Sequence, residues 1–167
     1  MKNEMTEVDI RKIEEELRYR KDVLAPELHA EVKRTREYGD LSENAEYKQA
    51  KYERNRNESR IRYLENLLRN AVVVSADAPR SGIGLFDFVE YINERTGATR
   101  RIQLVTSLRQ DAVHGFVSKD SPIGRALFGH REGDRVLIEI APGNSYYAKV
   151  VKVEPGEDNE ELAISRY

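Results

Sequence analysis

The side chains with the clearest chemical potential belong to one short stretch, Tyr38 to Tyr47, which reads YGDLSENAEY. Asp40 and Glu43 stand three residues apart within it, and Glu46 follows closely. Carboxylate oxygens are preferred ligands of hard divalent cations such as Mg2+, and one or two of them often complete a site made otherwise by phosphates and water. The pair could therefore help to hold a cation without forming a full cage around it.

A structural role fits the same spacing. Asp40 could be the N-cap of the following helix, and Glu43 could fold back to complete a capping box. Acidic side chains near a helix N-terminus also interact favourably with the helix dipole. Spacing alone favours this capping interpretation over the chemical one.

Two long helix-forming segments flank the acidic stretch. From Asp9 to Arg36 there is no glycine, and from Glu43 to Ala71 there is neither glycine nor proline. Apolar residues recur in the first segment at heptad spacing: Ile10, Ile13, Leu17, Leu24 and Leu28. The predicted seam of the second is partly polar: Tyr47, Ala50, Arg54, Asn57, Ile61, Leu64, Leu68 and Ala71. A short link containing Gly39 predicts an antiparallel finger of about 40 Å, with the acidic residues at its tip.

Pro26 interrupts the first of these segments. Proline lacks a backbone N–H and its ring clashes with the preceding turn, so we expect a kink or break near Leu24 and Ala25.

The rest of the chain predicts a second domain of mixed α and β structure. Turn-forming residues from Asp77 to Gly84 indicate a linker. Ser121, Pro122 and Gly129 delimit a short helix. The predicted strands are LFDFVEYI, RIQLVT, GFVS, DRVLIEI and YYAKVVKV. We assign five aromatic residues to the core of this domain: Phe86, Phe88, Tyr91, Phe116 and Phe128.

Composition excludes several classes of protein. With 28 Lys and Arg against 30 Asp and Glu, the chain does not coat nucleic acid by bulk charge, so any such contact must be local. The absence of cysteine excludes disulfides, thiolate nucleophiles and cysteine-based zinc sites. No apolar run has transmembrane length and the start lacks a signal-peptide core, which predicts a soluble, cytoplasmic protein. No catalytic apparatus is evident that the chain could operate alone.

Two segments resemble the bacterial transcript cleavage factors of the GreA/GreB family. REYGDLSENAEYKQAK resembles the tip of their finger, and SPIGRALFGHREGD resembles their C-terminal domain. The resemblance is close over 27–74 and 121–154 and weak over 82–119. It implies an N-terminal antiparallel α-helical coiled-coil hairpin at 1–76, a linker at 77–84, and an FKBP-like antiparallel β-sheet domain with one short helix at 85–167.

The resemblance also implies a function. Such factors insert the finger into the secondary channel of RNA polymerase and stimulate its Mg2+-dependent cleavage of the 3' end of backtracked RNA, which rescues arrested complexes. The positions matching the acidic pair are Asp40 and Glu43, which would act in the polymerase active site on its shared Mg2+. The chain would have no cofactor of its own, would not itself be an enzyme, and would act as a monomer. The C-terminal domain would dock at the channel rim through Ser121, Pro122, Ile123 and Arg125.

Basic residues near the predicted tip are candidate contacts for the extruded RNA. Between Lys48 and Arg62 there are six basic and two acidic side chains, a local net charge of +4. Clustered cations bind phosphates by counterion release, whereas an ordinary solvated helix face would pair the same charges within the helix. The candidates for RNA contact are Lys33, Arg34, Arg36, Lys48, Lys51, Arg54 and Arg56.

Two other functions share parts of this pattern. Some relatives of the family occupy the same channel and inhibit the polymerase, although intact Asp40 and Glu43 favour stimulation. The implied FKBP-like fold also suggests a peptidyl-prolyl isomerase or chaperone, but a fold alone does not establish a function.

Overall fold

The computed structural model of the chain describes residues 2–39, 44–76 and 81–165. These residues form two compact units. The first contains Ile10–Val72 and the described start of the chain up to Asn3. The second contains Glu4–Asp9 and the described residues from Val73 onward.

The first unit is a helical hairpin. After a short strand, β1 (Asn3–Met5), helix α1 (Glu7–Tyr19) leads through a π-helical turn (Arg20–Leu24) into α2 (Ala25–Arg36), and α3 (Ala45–Arg69) returns. Residue 20 contacts residue 57 and residue 16 contacts residue 60, so the two arms are antiparallel, as predicted.

The sequence predicted a kink or break near Pro26. The structure has a π-helical turn there, between α1 and α2. The N–H of Ala25 donates to the oxygen of Arg20, five residues back, and Pro26 then lies in the first turn of α2. Proline has no N–H to donate and its ring needs room in the turn before it, which an ordinary α-helical turn does not provide. The widened turn before it therefore lets the helix continue.

Apolar side chains close the hairpin at the predicted seam. Ile13, Leu17, Ala50 and Leu64 are buried, as their spacing indicated. At the end of α3 the buried residue is Leu67, while Leu68, predicted for the seam, is only half-buried. The heptad pattern therefore identifies the correct face of each helix to within one position.

A polar cluster occupies the middle of this seam. The guanidinium of Arg60 donates to both carboxylate oxygens of Glu16, at 2.9 and 3.2 Å, and Arg20 donates to Glu16 at 2.8 Å. Arg20 also donates to Oδ1 of Asn57 at 3.0 Å, and Asn57 is only 3% exposed. Arg60 therefore belongs to the seam, which corrects its inclusion among the basic residues counted for RNA contact.

Glu16 has a lowered pKa because of these partners. Burial acts to raise its pKa, but the hydrogen bonds from Arg60 and Arg20 outweigh that effect. A carboxyl with a lowered folded-state pKa adds stability above its unfolded pKa, and this contribution is lost as pH falls through the folded value.

Substituting Glu16→Gln should destabilise the hairpin at neutral pH by about 1 to 2 kcal/mol, because two arginines lose a charged acceptor. Between pH 6 and pH 3 the variant should also lose less stability than the parent, which is measured by urea unfolding followed by helical circular dichroism. Glu14→Gln on the exposed side of α1 is the matched control. An unchanged pH profile in Glu16→Gln would contradict the assignment.

The second unit is built on a five-stranded sheet. Strand β2 (Ala71–Val73) leads into this unit from the first one. The elements of the unit are β3 (Phe88–Asn93), β4 (Thr99–Val105), β5 (Phe116–Ser118), α4 (Pro122–Leu127), β6 (Arg135–Ala141) and β7 (Asn144–Glu154), with 3-10 turns at Ser107–Arg109 and Ala112–His114. The strand order is β5-β4-β3-β7-β6, and only β4 and β5 run parallel. The short strands β1 and β2 pair separately and were not predicted.

One face of the sheet carries the core of this unit. Alternate residues of the strands point toward α4, and Leu127 of that helix is fully buried against them. The buried strand residues are Val89, Tyr91, Ile102, Leu104, Val117, Val136, Ile138, Ala148 and Val150. The fold class predicted from the sequence, a helical hairpin followed by a sheet domain with one short helix, is confirmed.

The predicted aromatic core is correct only in part. Phe86 and Tyr91 are buried, and Phe88 and Phe116 are half-buried. Phe128 is 46% exposed, so its assignment to the core was wrong. Helix α4 ends with Leu127 facing the core, so the next residue faces outward, where the ammonium of Lys119 lies 5.6 Å from the Phe128 ring centre.

A buried ion cluster forms a second centre in this unit. The side chain of Arg109 is fully buried, and its Nε lies 3.3 Å from Oδ1 of Asp9, within ion-pair range but not aligned as a hydrogen bond. Arg109 also pairs with Asp158. Asp9 Oδ2 accepts from the Thr6 N–H at 3.0 Å and the Thr106 hydroxyl at 2.9 Å. The cluster ties segments distant in sequence to one guanidinium.

Residues 156–165 are packed against this unit. Gln103 donates to the oxygen of Glu157 at 3.1 Å, and Ile164 is buried. Gly156 leaves no room for a side chain, because an added Cβ would lie 2.2 Å from the Phe86 oxygen. The acidic tail, whose role the sequence did not indicate, is therefore part of the folded unit.

Substituting Asp9→Asn should cost the second unit about 3 kcal/mol, because a buried guanidinium loses a counter-charge. Hydrogen exchange of the β3 and β7 amides measures this as faster opening of the sheet. Glu7→Gln, on an exposed residue of the same helical turn, should leave the exchange rates unchanged. Equal protection in the two variants would refute a stabilising role for the cluster.

Candidate functional site

The end of the hairpin is closed by Asn44. Its Oδ1 accepts from the Tyr47 N–H at 3.0 Å, which caps α3, and its Nδ2 donates to the oxygen of Thr35 at 2.8 Å. Thr35 is buried near the end of α2, and its hydroxyl donates to the oxygen of Glu31 at 2.9 Å. One side chain thus joins the end of one arm to the start of the other.

The predicted acidic pair lies outside the described residues. Asp40 and Glu43 belong to the four residues between Gly39 and Asn44 that the structure does not describe. The neighbouring structure nevertheless decides the capping question, because Asn44 is the N-cap of α3. The cap that the structural interpretation gave to Asp40 is filled by Asn44, while the chemical role of Asp40 and Glu43 stays a prediction.

The predicted basic residues do not share one face. Lys48 and Arg56 are exposed on α3 with Tyr52 between them, whereas Lys51 and Arg54 are half-buried at its flank. Lys33, Arg34 and Arg36 are exposed near the end of α2. The structure therefore brings Lys48 and Arg56 together on one side of α3, at a spacing of two turns.

Ion pairing separates these candidates further. Arg34 donates to Glu31 at 2.9 Å and also contacts the Tyr38 hydroxyl, and Arg54 lies 3.9 Å from Glu58. These two fit the ordinary solvated-face interpretation. Within 2–39, 44–76 and 81–165, no ion pair is found for Lys33, Arg36 or Lys48.

Tyrosine rings accompany two of the basic residues, which the sequence interpretation did not anticipate. The guanidinium of Arg56 lies 5.8 Å from the Tyr52 ring centre, and the ammonium of Lys51 lies 5.2 Å from that of Tyr47. Tyr52 is 56% exposed. Both pairs have the spacing i, i+4, which is the sequence signal that could have identified them.

The second unit presents the other predicted contact residues on α4. Ser121 caps this helix, because its hydroxyl oxygen accepts from the Gly124 N–H at 3.0 Å, so its side chain has a structural role. Pro122 and Arg125 are exposed, and Ile123 is half-buried against the core. Phe128, which the sequence interpretation missed, extends the exposed row.

The described residues contain neither a metal cluster nor a membrane-spanning helix. Among them no group of three or more His, Asp or Glu residues could hold a metal ion. No helix in the described ranges is long and apolar enough to cross a membrane.

Comparison with known proteins matches both halves of the chain. Residues 3–73 match the family model "Transcription elongation factor, N-terminal", and residues 79–155 match "Transcription elongation factor, GreA/GreB, C-term". The chain belongs to the GreA/GreB family of transcription elongation factors. The resemblance inferred from the acidic stretch and the α4 segment is thereby confirmed.

Individual members of the GreA/GreB family align over most of the chain. It is 39% identical over 151 residues to transcription elongation factor GreA of Geobacillus kaustophilus, covering 90% of this chain and 95% of the relative. It is 40% identical over 151 residues to GreA of Pseudomonas aeruginosa, covering 89% and 95%. The crystal structure of GreA factor homolog 1 (Gfh1) of Thermus thermophilus aligns with 25% identity and a TM-score of 0.45, covering 92% of this chain and 99% of that one.

Substituting Asn44→Ala should destabilise the hairpin by about 1 kcal/mol, because α3 loses its N-cap. Asn44→Asp should keep the cap but lose the donor to Thr35, and so should separate the two contacts of this side chain. Urea unfolding followed by helical circular dichroism measures both variants. A loss in Asn44→Asp as large as that in Asn44→Ala would assign the stabilisation to the Thr35 bond and not to the cap.

Proposed function

We propose that the hairpin of this elongation factor enters the secondary channel of RNA polymerase and stimulates the polymerase's cleavage of the 3' end of backtracked RNA. The observation that supports this most is the position of Asp40 and Glu43. Both lie in the link between α2 and α3, immediately before the Asn44 side chain that joins the two arms. Arrested complexes would resume synthesis from the new 3' end.

The dimensions of the hairpin suit such a role. Helix α3 has 25 residues, which at about 1.5 Å per residue gives a length of about 37 Å. A carboxylate pair at the end of so long an arm is poorly placed to serve a site within its own unit. It is well placed to reach a recessed site in a partner.

Two carboxylates fit the chemistry of a shared metal. Mg2+ takes oxygen ligands and usually keeps several waters and phosphate oxygens, so one or two carboxylates suffice to complete its shell. When bound in the polymerase, the ion would activate water and stabilise the leaving oxygen. Asp40 and Glu43 would bind and orient, and the catalytic centre would belong to the polymerase, so this chain is a stimulating factor and not the enzyme.

The basic side chains would guide the extruded RNA. Lys48 and Arg56 present cations beside the exposed Tyr52 ring, and such interleaving of charge and aromatic surface suits single-stranded RNA. Lys33 and Arg36 would add phosphate contacts from α2. Arg34 and Arg54 would contribute less, because each already faces a glutamate.

The exposed row on α4 would dock at the rim of the channel. Pro122 and Arg125 are exposed there, and Phe128 adds apolar surface that a partner could cover. Gly124 lets α4 lie close to the preceding loop, because an added Cβ would be 2.0 Å from the Ser118 oxygen. This close packing would hold Pro122, Arg125 and Phe128 in fixed positions for docking.

Stalled, backtracked elongation complexes test the proposal. Added protein and Mg2+ should shorten the RNA from its 3' end, and the double variant Asp40→Asn, Glu43→Gln should slow this by about 10- to 100-fold while still binding the polymerase. Both substitutions keep side-chain size and remove only charge.

Glu37→Gln supplies the matched control, because this exposed acid lies outside the predicted pair. It should cleave at the parent rate. Normal cleavage by the double variant would overturn the mechanism, and reduced transcription with no RNA shortening would indicate an inhibitor of the same channel.

A further inference from the structure

Strand β6 forms one edge of the five-stranded sheet. It is hydrogen-bonded to β7 on one side, and in the described parts of the chain its backbone meets no other strand. An uncovered edge leaves every second N–H and C=O without a partner strand, and it can add a strand from another chain. The side chains along this edge determine which strand it can accept.

The regular part of β6 is short and has a defined centre. Its pairing with β7 is regular from Arg135 to Glu139, and a bulge follows between Glu139 and Ala141. Leu137 is the middle residue of this five-residue segment. A partner strand could therefore pair with Arg135 to Glu139 before the bulge turns the edge away.

Apolar surface lies at the same centre. Leu137 is 48% exposed, and Tyr147, directly opposite it on β7, is 43% exposed. The guanidinium of Arg135 lies 3.6 Å from the Tyr147 ring centre and donates to Glu94 through Nε at 2.9 Å. A leucine and a tyrosine thus stand exposed beside an oriented cation.

We propose that β6 is a self-association edge, on which a second copy of this chain pairs antiparallel about a two-fold axis at Leu137. In that register Leu137 faces the partner's Leu137, and the two tyrosines at 147 extend the apolar row on either side. Arg135 faces the partner's Glu139, and Glu139 faces the partner's Arg135. Two pairs of opposite charges therefore face each other in one symmetric contact.

Neighbouring registers are less favourable. A centre at Ile138 would place Leu137 against the partner's Glu139, and it would leave Arg135 facing an alanine. Only the register centred on Leu137 matches like apolar residues and unlike charges together. The contacts of Arg135 with Glu94 use Nε and Nη2, so pairing with the partner's Glu139 requires the Arg135 side chain to turn from β3 and β7 toward the free edge.

The contact is small, so the association should be weak, with dimers appearing at about 0.1 to 1 mM. The sequence predicted a monomeric factor, and a weak dimer keeps the monomer dominant in dilute solution. This inference is independent of the proposed function, because neither Asp40 nor Glu43 takes part.

Charge reversal tests the register. Glu139→Arg alone and Arg135→Glu alone should each place like charges opposite one another twice, and should weaken association by about tenfold. An equimolar mixture of the two variants should restore the parent value, because every facing pair is again of opposite sign. Sedimentation equilibrium measures all three samples, with thermal unfolding to confirm that each variant is folded.

Cysteine trapping supplies a second test that does not disturb the charges. The chain has no cysteine, so Leu137→Cys introduces a single thiol that meets its own copy only if residue 137 lies on the two-fold axis. Oxidation should give a covalent dimer. Val151→Cys, equally exposed on β7 but away from the edge, is the control and should stay monomeric.

The outcomes are decisive in both assays. A parent protein that is monomeric up to about 1 mM, or equal crosslinking of the two cysteine variants, would overturn the proposal. A dimer that Glu139→Arg leaves intact would overturn the register centred on Leu137.

Discussion

The polar cluster in the hairpin seam is the constraint on which the candidate site depends. Glu16, Arg20, Asn57 and Arg60 satisfy one another across the two arms, and a slip of either helix would leave buried charges without partners. Such clusters add little net stability, but they penalise every wrong register. Apolar residues alone would allow the arms to slide by a turn. The register of the first arm against α3 is therefore set by this charge network.

Periodicity and turn chemistry made most of the fold predictable. The heptad spacing identified both arms, and Ser121, Pro122 and Gly129 delimited α4 correctly. The heptad pattern placed Arg54 in the seam and left Arg60 outside it, whereas Arg60 is buried and Arg54 only half-buried. The sequence did not reveal this because the partner that Arg60 meets, Glu16, lies on the other arm. It also missed Phe128, since one residue decides whether the end of a short helix points inward. Strand β2 was missed because it follows α3 after one residue with no turn signal between them, and β1 was missed because Asn3–Met5 contains a single apolar residue. For the site, the sequence supplied Asp40 and Glu43, and the structure supplied Asn44 as the cap that removes their simplest structural explanation.

The hairpin surface and the α4 surface suit their proposed roles through different physical properties. On the hairpin, Lys48 and Arg56 are exposed on the side of α3 that carries the exposed Tyr52, and their value depends on accessible charge. On α4, the residues are held by close packing beneath Gly124, and their value depends on rigidity. The family assignment covers both surfaces, whereas the chemistry of each follows from its own contacts.

The packed tail shows that the folded unit extends beyond the segment that matches the family model. The match to the C-terminal family model ends at residue 155, yet Asp158 pairs with the fully buried Arg109. A chain shortened to that limit would lose Asp158, an ion-pair partner of the buried Arg109, and should therefore be less stable. The segment that matches the family model is therefore shorter than the segment that the second unit needs for its full stability.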